Sequence, residues 1–359
     1  MEFPMAQKVF KRIGVLTSGG DSPGMNAAVR AVTRAAIAKG VEVMGIYKGY
    51  TGLIQDEMKL FTARDVSNII NRGGTMLYSD RCLEFKTEEG MQKAIATCKK
   101  NGIDGIVAIG GDGTFRGATD LSNRGIPSIG IPGTIDNDIT STDYSIGFDT
   151  AMNTVLEMVD RLRDTCESHA RCNVVEVMGR NAGHIALETG IAVGASAIAL
   201  NELPFDEELC MQRLIEEKEN GKRNFIVTVA EGNGDFAEQL AKRIQERTGI
   251  ETKFARLAHV QRGGNPTLRD RLIASQMGQA AIEHLLMGES NIVMCYRDGK
   301  IAATNIDYAQ TLDRMYKGKL TAEEIEKIEP AVRAEMEAFC KARLEHLQEL
   351  YALAYEIAR

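Results

Sequence analysis
The strongest constraint on this chain is a repeated alternation: short runs that are apolar at almost every residue, each followed by a longer stretch with helical spacing. "IGVLT", "VEVMGIY", "DGIVAIG" and "PSIGIPG" come first, interleaved with helices expected from about Met25 and near "ARDVSNIINR". A strand that is apolar at successive rather than alternate positions is buried on both faces, the condition of a parallel sheet covered by helices. The alternation resumes after a long helix at about 150–165, with "NVVEVMG", "SAIALNE" and "NFIVTVAEG" as strands. A chain of 359 residues, 44% of them hydrophobic, is too long for one compact core, so the pattern predicts two α/β halves. From about Thr321 the texture changes to charged helix around Pro330. Its apolar positions, Val332, Met336, Phe339, Leu347, Leu350, Ala354 and Ile357, recur every three to four residues, so one face should pack.

Charge and composition exclude several classes of function. A formal net charge of -7 leaves no broad basic surface for a nucleic acid, so an anionic ligand must meet a local cluster of Arg and Lys. The seven Cys are scattered without a CxxC, which predicts free thiols in a reducing compartment, and the five His lack metal-ligand spacing. "MEFPMAQKVFKR" has no apolar run of a signal peptide, and no stretch approaches the roughly 20 apolar residues of a membrane span. The expectation is a soluble cytoplasmic protein.

Chemistry-bearing residues cluster where strands should end. In parallel α/β sheets ligands sit at the carboxyl ends of strands, where loops lead into helix N-termini. "LTSGGDSPGMN" follows the first strand; Gly19 and Gly20 allow close backbone approach and the next helix offers free N–H groups to a phosphate. "IGGDGTFRG" repeats the arrangement with Asp112 added, one carboxylate of the kind that suits a largely water-coordinated magnesium ion bridged to phosphates. There is no GxxxxGK[ST], and the spacing of Gly111, Gly113 and Gly117 misses GxGxxG by one residue. "IGIPGTIDNDIT" then places Asp136 and Asp138 just past a strand, where an Asp can accept the proton of an attacking hydroxyl during phosphoryl transfer. The same tripeptide also fits a plain Asx turn. Further strand ends supply His169 and Arg171, Arg180, Glu231, and His259 with Arg262. Arginine forks bind phosphate bidentately, which points to a phosphorylated substrate.

As a set, "GVLTSGGDSPGMNAAVR", "INRGGT", "IGGDGT", "PGTIDND", "TDYSIGFDTA", "VEVMGRNAGH" and "HVQRGG" resemble the bacterial-type ATP-dependent 6-phosphofructokinases, in that family's order and over about residues 12–310. The resemblance implies two Rossmann-like three-layer domains with mostly parallel sheets, an active-site cleft between them, and a C-terminal helical extension. It implies a nucleotide-binding domain of residues 1–138 with about 251–310, a sugar-phosphate-binding domain of 139–250, and an extension of 321–359 with no assigned role. The reaction implied is transfer of the γ-phosphoryl of ATP to the 1-hydroxyl of fructose 6-phosphate. Asp136 would be the base, with Asp138 a second carboxylate, Thr134 close to the transferred phosphoryl, and Arg180 and Arg81 facing it. Gly19, Arg81, Cys82, Gly111, Asp112, Gly113 and Thr114 would line the ATP site, Asp112 holding Mg2+. Fructose 6-phosphate would meet Thr134, Ile135, Asp136, Met178, Gly179, Arg180, Glu231, Lys253, His259 and Arg262. Arg171 would join from a neighbouring subunit of a homotetramer. Arg30, Arg34, Arg163, Lys222 and Arg223 match basic positions that bind an ADP or phosphoenolpyruvate effector.

Three departures from the family pattern stand out. Near the sugar phosphate, Lys253 replaces a usual Arg and Ala258 the Gly commonly preceding the His of "HVQR"; at the effector site Ser196 replaces a metal-binding Glu; and the segment after about 320 extends beyond the short bacterial enzymes. Pyrophosphate-dependent members tend to carry Asp at the position of Gly113 and Lys at that of Gly133; Gly at both favours ATP. Two other readings compete. A catalytically silent sensing subunit is disfavoured by the presence of Asp112, Asp136 and Arg180, and a dinucleotide oxidoreductase by the missing GxGxxG.

Overall fold
A computed structural model describes residues 10–358. In chain order the elements are β1 Arg12–Ser18, α1 Met25–Ala38, β2 Glu42–Ile46, α2 Gly49–Gln55, β3 Met58–Phe61, α3 Glu88–Lys100, β4 Gly105–Gly110, α4 Asp112–Ser122 and β5 Ser128–Pro132. There follow α5 Phe148–His169, β6 Cys172–Val177, α6 His184–Ala192, β7 Ala197–Ala199, α7 Glu207–Glu219, β8 Phe225–Ala230, α8 Phe236–Thr248 and β9 Thr252–Arg256. The chain continues with α9 Leu268–Leu286, β10 Ile292–Arg297, β11 Lys300–Asn305, α10 Ile306–Tyr316, α11 Ala322–Glu326 and α12 Pro330–Ile357. The seven apolar runs read from the sequence are β1, β2 and β4 to β8. Their residues are buried almost throughout, as strands covered on both faces must be.

The chain divides into two compact units. The first runs to Ile135 and takes in Ile139–Thr150 and Arg262–Ala322; the second holds Asp136–Asp138, Ala151–Gln261 and the residues from Glu323 on. The first unit carries a seven-stranded sheet in the order β11-β10-β5-β4-β1-β2-β3. Only its outer pairs, β2 with β3 and β10 with β11, are antiparallel. Because β1 and β4 are neighbours, with β2 on one side and β5 on the other, the strand order reverses between them. Ser18 lies beside Gly110 in the register. Loops leave such a switch point in opposite directions and open a crevice at the strand ends.

The second unit carries a four-stranded, all-parallel sheet in the order β7-β8-β6-β9. Its core is Val174, Val227, Val229, Leu214, Leu240 and Ile244. Strand β9 pairs with β6, Lys253 beside Asn173. Residues 251–261 therefore belong with this sheet, where the sequence reading had already returned the chain to the first domain. Residues 139–150, conversely, sit with the first unit. Buried Asp270 holds them there by accepting hydrogen bonds from Tyr144 Oη, Gly147 N and Thr150 N and Oγ1.

Two smaller expectations fail. The stretch 63–72 forms consecutive turns rather than a helix. Asp65 accepts from the backbone N–H and hydroxyl of Thr62, and Asn68 takes a left-handed φ of 57°. Short polar side chains thus outcompete the helical ladder. Along α12, Met336, Leu347 and Ala354 are buried, whereas Ile357 is exposed, so the packed stripe ends one turn early. The helix docks through Tyr351, whose hydroxyl donates to Ile198 O on edge strand β7, and through Arg213, which donates to Ser196 O and Tyr355 O. All seven cysteines are free thiols, five of them buried. No helix among the described residues is long and apolar enough to cross a membrane.

Candidate active site
In the first unit the two glycine-rich loops leave β1 and β4 side by side and are stitched together. Thr114 Oγ1 donates to Ser18 O at 3.1 Å, and a Cβ on Gly110 would collide with Ser18 O and the Thr114 side chain. Gly19 has φ 85°, and its carbonyl accepts from Ser79 Oγ, which brings the loop carrying Arg81 and Cys82 over the first turn. Gly111 caps α4 and Asp112 is its first residue. The Asp112 carboxylate is half-buried and pairs with Arg116 one turn on at 2.7 Å, at the positive end of the α4 dipole. Thr134 and Ile135 follow β5; Thr134 O accepts from Ser145 Oγ at 2.7 Å. Arg262 lies over the first loop, its Nη1 3.1 Å from where a Cβ on Gly20 would stand. Gly20 thus leaves room for a guanidinium, a use of that glycine not legible in the sequence.

Gly113 and Gly133, the two positions that bear on the phosphoryl donor, differ. A Cβ at Gly113 would meet nothing within 4 Å, whereas one at Gly133 would press on Met25 and Ile109 at 3.1 and 3.2 Å. A side chain at Gly133 would have to displace the ends of Met25 and Ile109 by a few tenths of an ångström. The fold does not ask for Gly113.

In the second unit the carboxyl ends of β6, β8 and β9 carry the rest. After β6 the chain turns sharply: Gly179 has φ 143°, where a Cβ would strike Ala182 O, and Arg180 itself has φ 61°. The turn is clamped by Glu231 at the end of β8. Its Oε1 accepts from Gly179 N at 3.2 Å and Arg180 N at 2.8 Å. Met178 N donates to Gln261 Oε1, and Gln261, fully buried, donates in turn to Ala258 O. Held this way, the Arg180 guanidinium reaches Asp136 Oδ2 at 3.4 Å and Asp138 Oδ2 at 3.8 Å. Asp136 is only 2% exposed, Arg180 57%. A buried carboxylate facing an exposed cation can accept a proton at an anion site that the cation also serves. Exposed His259 lies in the turn after β9. Ala258, with φ 47°, stands in the left-handed region where the family pattern has Gly.

Arg171 and Lys253 lie elsewhere. Both are at the amino end of the sheet, Arg171 just before β6 and Lys253 at the start of β9. Seven residues of strand at about 3.3 Å each separate Arg171 from Met178 by roughly 20 Å. Within one chain, Arg171 and Arg180 cannot hold the same sugar phosphate. Instead Arg171 Nε contacts Glu251 Oε2 at 2.8 Å and Lys253 Nζ contacts Glu251 Oε1 at 3.0 Å. These two cations hold the Glu251 carboxyl down at about 2, so it is ionised at any neutral pH. The sequence reading missed Glu251; its signal was the spacing of two from Lys253, which puts both on one face of a strand.

The basic residues with an effector expectation divide between the units. Arg30 and Arg34 are on α1, and Arg34 donates to Ala63 O. In the second unit Arg163 donates to Asn224 Oδ1, Arg223 to Glu167 O, and Lys222 pairs with Glu217 at 2.8 Å and reaches Ser196 Oγ. Ser196 Oγ also donates to Glu217.

A sequence profile of the family described as Phosphofructokinase matches residues 12–285. The ATP-dependent 6-phosphofructokinase 1 of Clostridium perfringens is 52% identical over 310 residues, 86% of this chain and 97% of that protein. The ATP-dependent 6-phosphofructokinase of Halalkalibacterium halodurans is 51% identical over 306 residues, 85% of this chain and 95% of its own length. Among solved structures, phosphofructokinase from Saccharomyces cerevisiae superposes with a TM-score of 0.81 at 33% identity, over 86% of this chain. The present chain spans about half of that yeast chain, 46%.

Proposed function
The chain belongs to the phosphofructokinase family, and we propose that it is an ATP-dependent 6-phosphofructokinase, transferring the γ-phosphoryl of ATP to the 1-hydroxyl of fructose 6-phosphate. The observation that carries the reading is the buried Asp136 facing the Arg180 guanidinium, beside Asp138. In this reading Asp136 accepts the proton of the attacking hydroxyl. Arg180 compensates charge on the phosphoryl group in transit, and Glu231 keeps Arg180 in its strained turn. Phosphoryl transfer needs little covalent help from a protein; positioning and charge compensation supply most of the catalysis. Thr134 flanks the transferred group. Met178, Gly179 and His259 at the carboxyl ends of β6 and β9 take the sugar, while Gly19, Arg81, Cys82, Gly111, Gly113 and Thr114 take the nucleotide, with Arg262 beside the first loop.

Asp112 fits a magnesium ion that comes with the nucleotide. Among the described residues no group of three or more His, Cys, Asp or Glu could cage a metal, and a single carboxylate at a helix N-terminus suits an ion held mostly by water and phosphate oxygens. Bound there, the ion would neutralise charge on the phosphates. ATP rather than pyrophosphate as donor is supported by Gly113, whose missing side chain the fold does not require.

Arg171 and Lys253 complete the sugar-phosphate site of another copy of the chain. Their support is the polarity of β6 and β9, which sets them a strand's length from Arg180. The reading includes a homo-oligomer with shared active sites, a homotetramer as in the resembled family. A coupled assay of fructose 6-phosphate with ATP or pyrophosphate tests the reading. Turnover with ATP is expected; turnover with pyrophosphate alone, or with neither, would overturn it.

A further inference from the structure
We propose that Glu251 is a positioning residue that holds Arg171 and Lys253 together as one anion-binding pair; this rests on the reading that the two cations take the sugar phosphate. The backbone already fixes where they start. Arg171 N donates to Cys166 O at 3.1 Å, Arg171 O accepts from Phe225 N at 3.1 Å, and Cys172 N donates to Glu251 O at 2.9 Å, so Arg171 and Glu251 sit at neighbouring strand ends. Glu251 and Lys253, two residues apart at the start of an edge strand, share a face. What the backbone does not fix is two long cationic side chains that repel each other and are free to rotate. Glu251 gives one carboxylate oxygen to each.

Each cation keeps donors for a ligand. Arg171 faces Glu251 with Nε, which leaves its two terminal nitrogens for a ligand, and the Lys253 ammonium has three N–H groups for a single ion-pair contact. A phosphate arriving at this cluster meets a net single positive charge already oriented, and does not have to order two rotamer-rich side chains itself. Within the second unit, Met178, Gly179, Arg180 and Glu231 lie at or beyond the carboxyl ends of β6 and β8, the opposite end from this cluster. Glu251 therefore acts only through Arg171 and Lys253.

The test is kinetic and uses the whole enzyme. Glu251→Ala should raise KM for fructose 6-phosphate roughly tenfold, from the ordering of two side chains on binding, with kcat and KM for ATP unchanged. Glu251→Gln, which keeps the side chain's size and polarity but not its charge, should fall between wild type and Ala and serves if the Ala chain folds poorly. In an Arg171→Ala, Lys253→Ala background, Glu251→Ala should add nothing, because its partners are gone. An unchanged or lowered KM in the single variant, or an undiminished effect in the double background, overturns the proposal. If Arg171→Ala and Lys253→Ala themselves leave KM for the sugar unchanged, the underlying site reading fails instead, whatever Glu251 does.

Discussion
The two ends of the four-stranded sheet carry arginines of apparently equal rank in the sequence, yet they are built by different means. At the carboxyl end, Arg180 sits on a backbone forced into the left-handed region and clamped by Glu231, and it faces a carboxylate that is 2% exposed. At the amino end, Arg171 and Lys253 share the carboxylate of Glu251 in a partly exposed triad, Arg171 being the least exposed of the three. Strain and burial fix a geometry tightly, as a reacting centre requires. An open ion triad holds charge ready but is screened, as suits recognition of a phosphate that takes no part in the chemistry. In the proposed function, the strained and buried end is the one that reacts and the ion triad the one that binds.

The largest effect should come from the reacting end. Asp136→Ala is expected to lower kcat by about 10²- to 10⁴-fold, the usual worth of a general base, with little change in ATP binding. Steady-state kinetics at saturating substrates measures it, and full turnover would remove Asp136 from its role. Arg171→Ala should differ in kind. Loss of a charge-assisted contact of roughly 1.5–3 kcal/mol should appear as a raised KM for fructose 6-phosphate at nearly intact kcat. A fall in kcat with KM unchanged would erase the distinction between the two ends.

Much of this architecture was legible beforehand, because both-face burial writes itself into a strand as a continuous apolar run. Strand β9 was not, since "TKFAR" is an edge strand with only Thr252 buried, and its exposed positions carry charge. The boundary at about 251, taken from the family resemblance, left residues 251–261 with the other unit. The turns at 63–72 were lost because Asp65 and Asn68 act through local hydrogen bonds that periodicity does not register. Gly19 stood out as part of a glycine-rich turn after a strand, whereas Gly179 entered only with the family resemblance. Glu251 and the contact of Arg262 with Gly20 depend on which strands pair and which loops meet.

Two smaller changes sharpen the picture of the binding end. Lys253→Arg should tighten fructose 6-phosphate binding by about 1 kcal/mol, since a planar fork replaces a point charge while Glu251 stays in reach. A KM that is unchanged or higher, at intact kcat, would place Lys253 away from the phosphate. Ala170 precedes Arg171 with φ 54°, a conformation costly for a residue with a Cβ. Ala170→Gly should relieve that strain, offset in part by added freedom of the unfolded chain, for a net gain on the order of 0.5 kcal/mol. Thermal unfolding reads it as a slightly raised Tm, and a lowered Tm would mean the residue is unstrained.

The most direct test of the account is complementation between the two ends. Asp136→Ala chains retain Arg171, and Arg171→Ala chains retain Asp136. If Arg171 serves the sugar phosphate of a neighbouring copy, mixed oligomers contain sites in which an intact Asp136 from one chain meets an intact Arg171 from another. Activity at low fructose 6-phosphate should then rise on co-assembly above the sum of the separate variants. No rise, once mixed assemblies are confirmed by mass, would contradict the assignment of the two ends of the sheet to active sites in different copies.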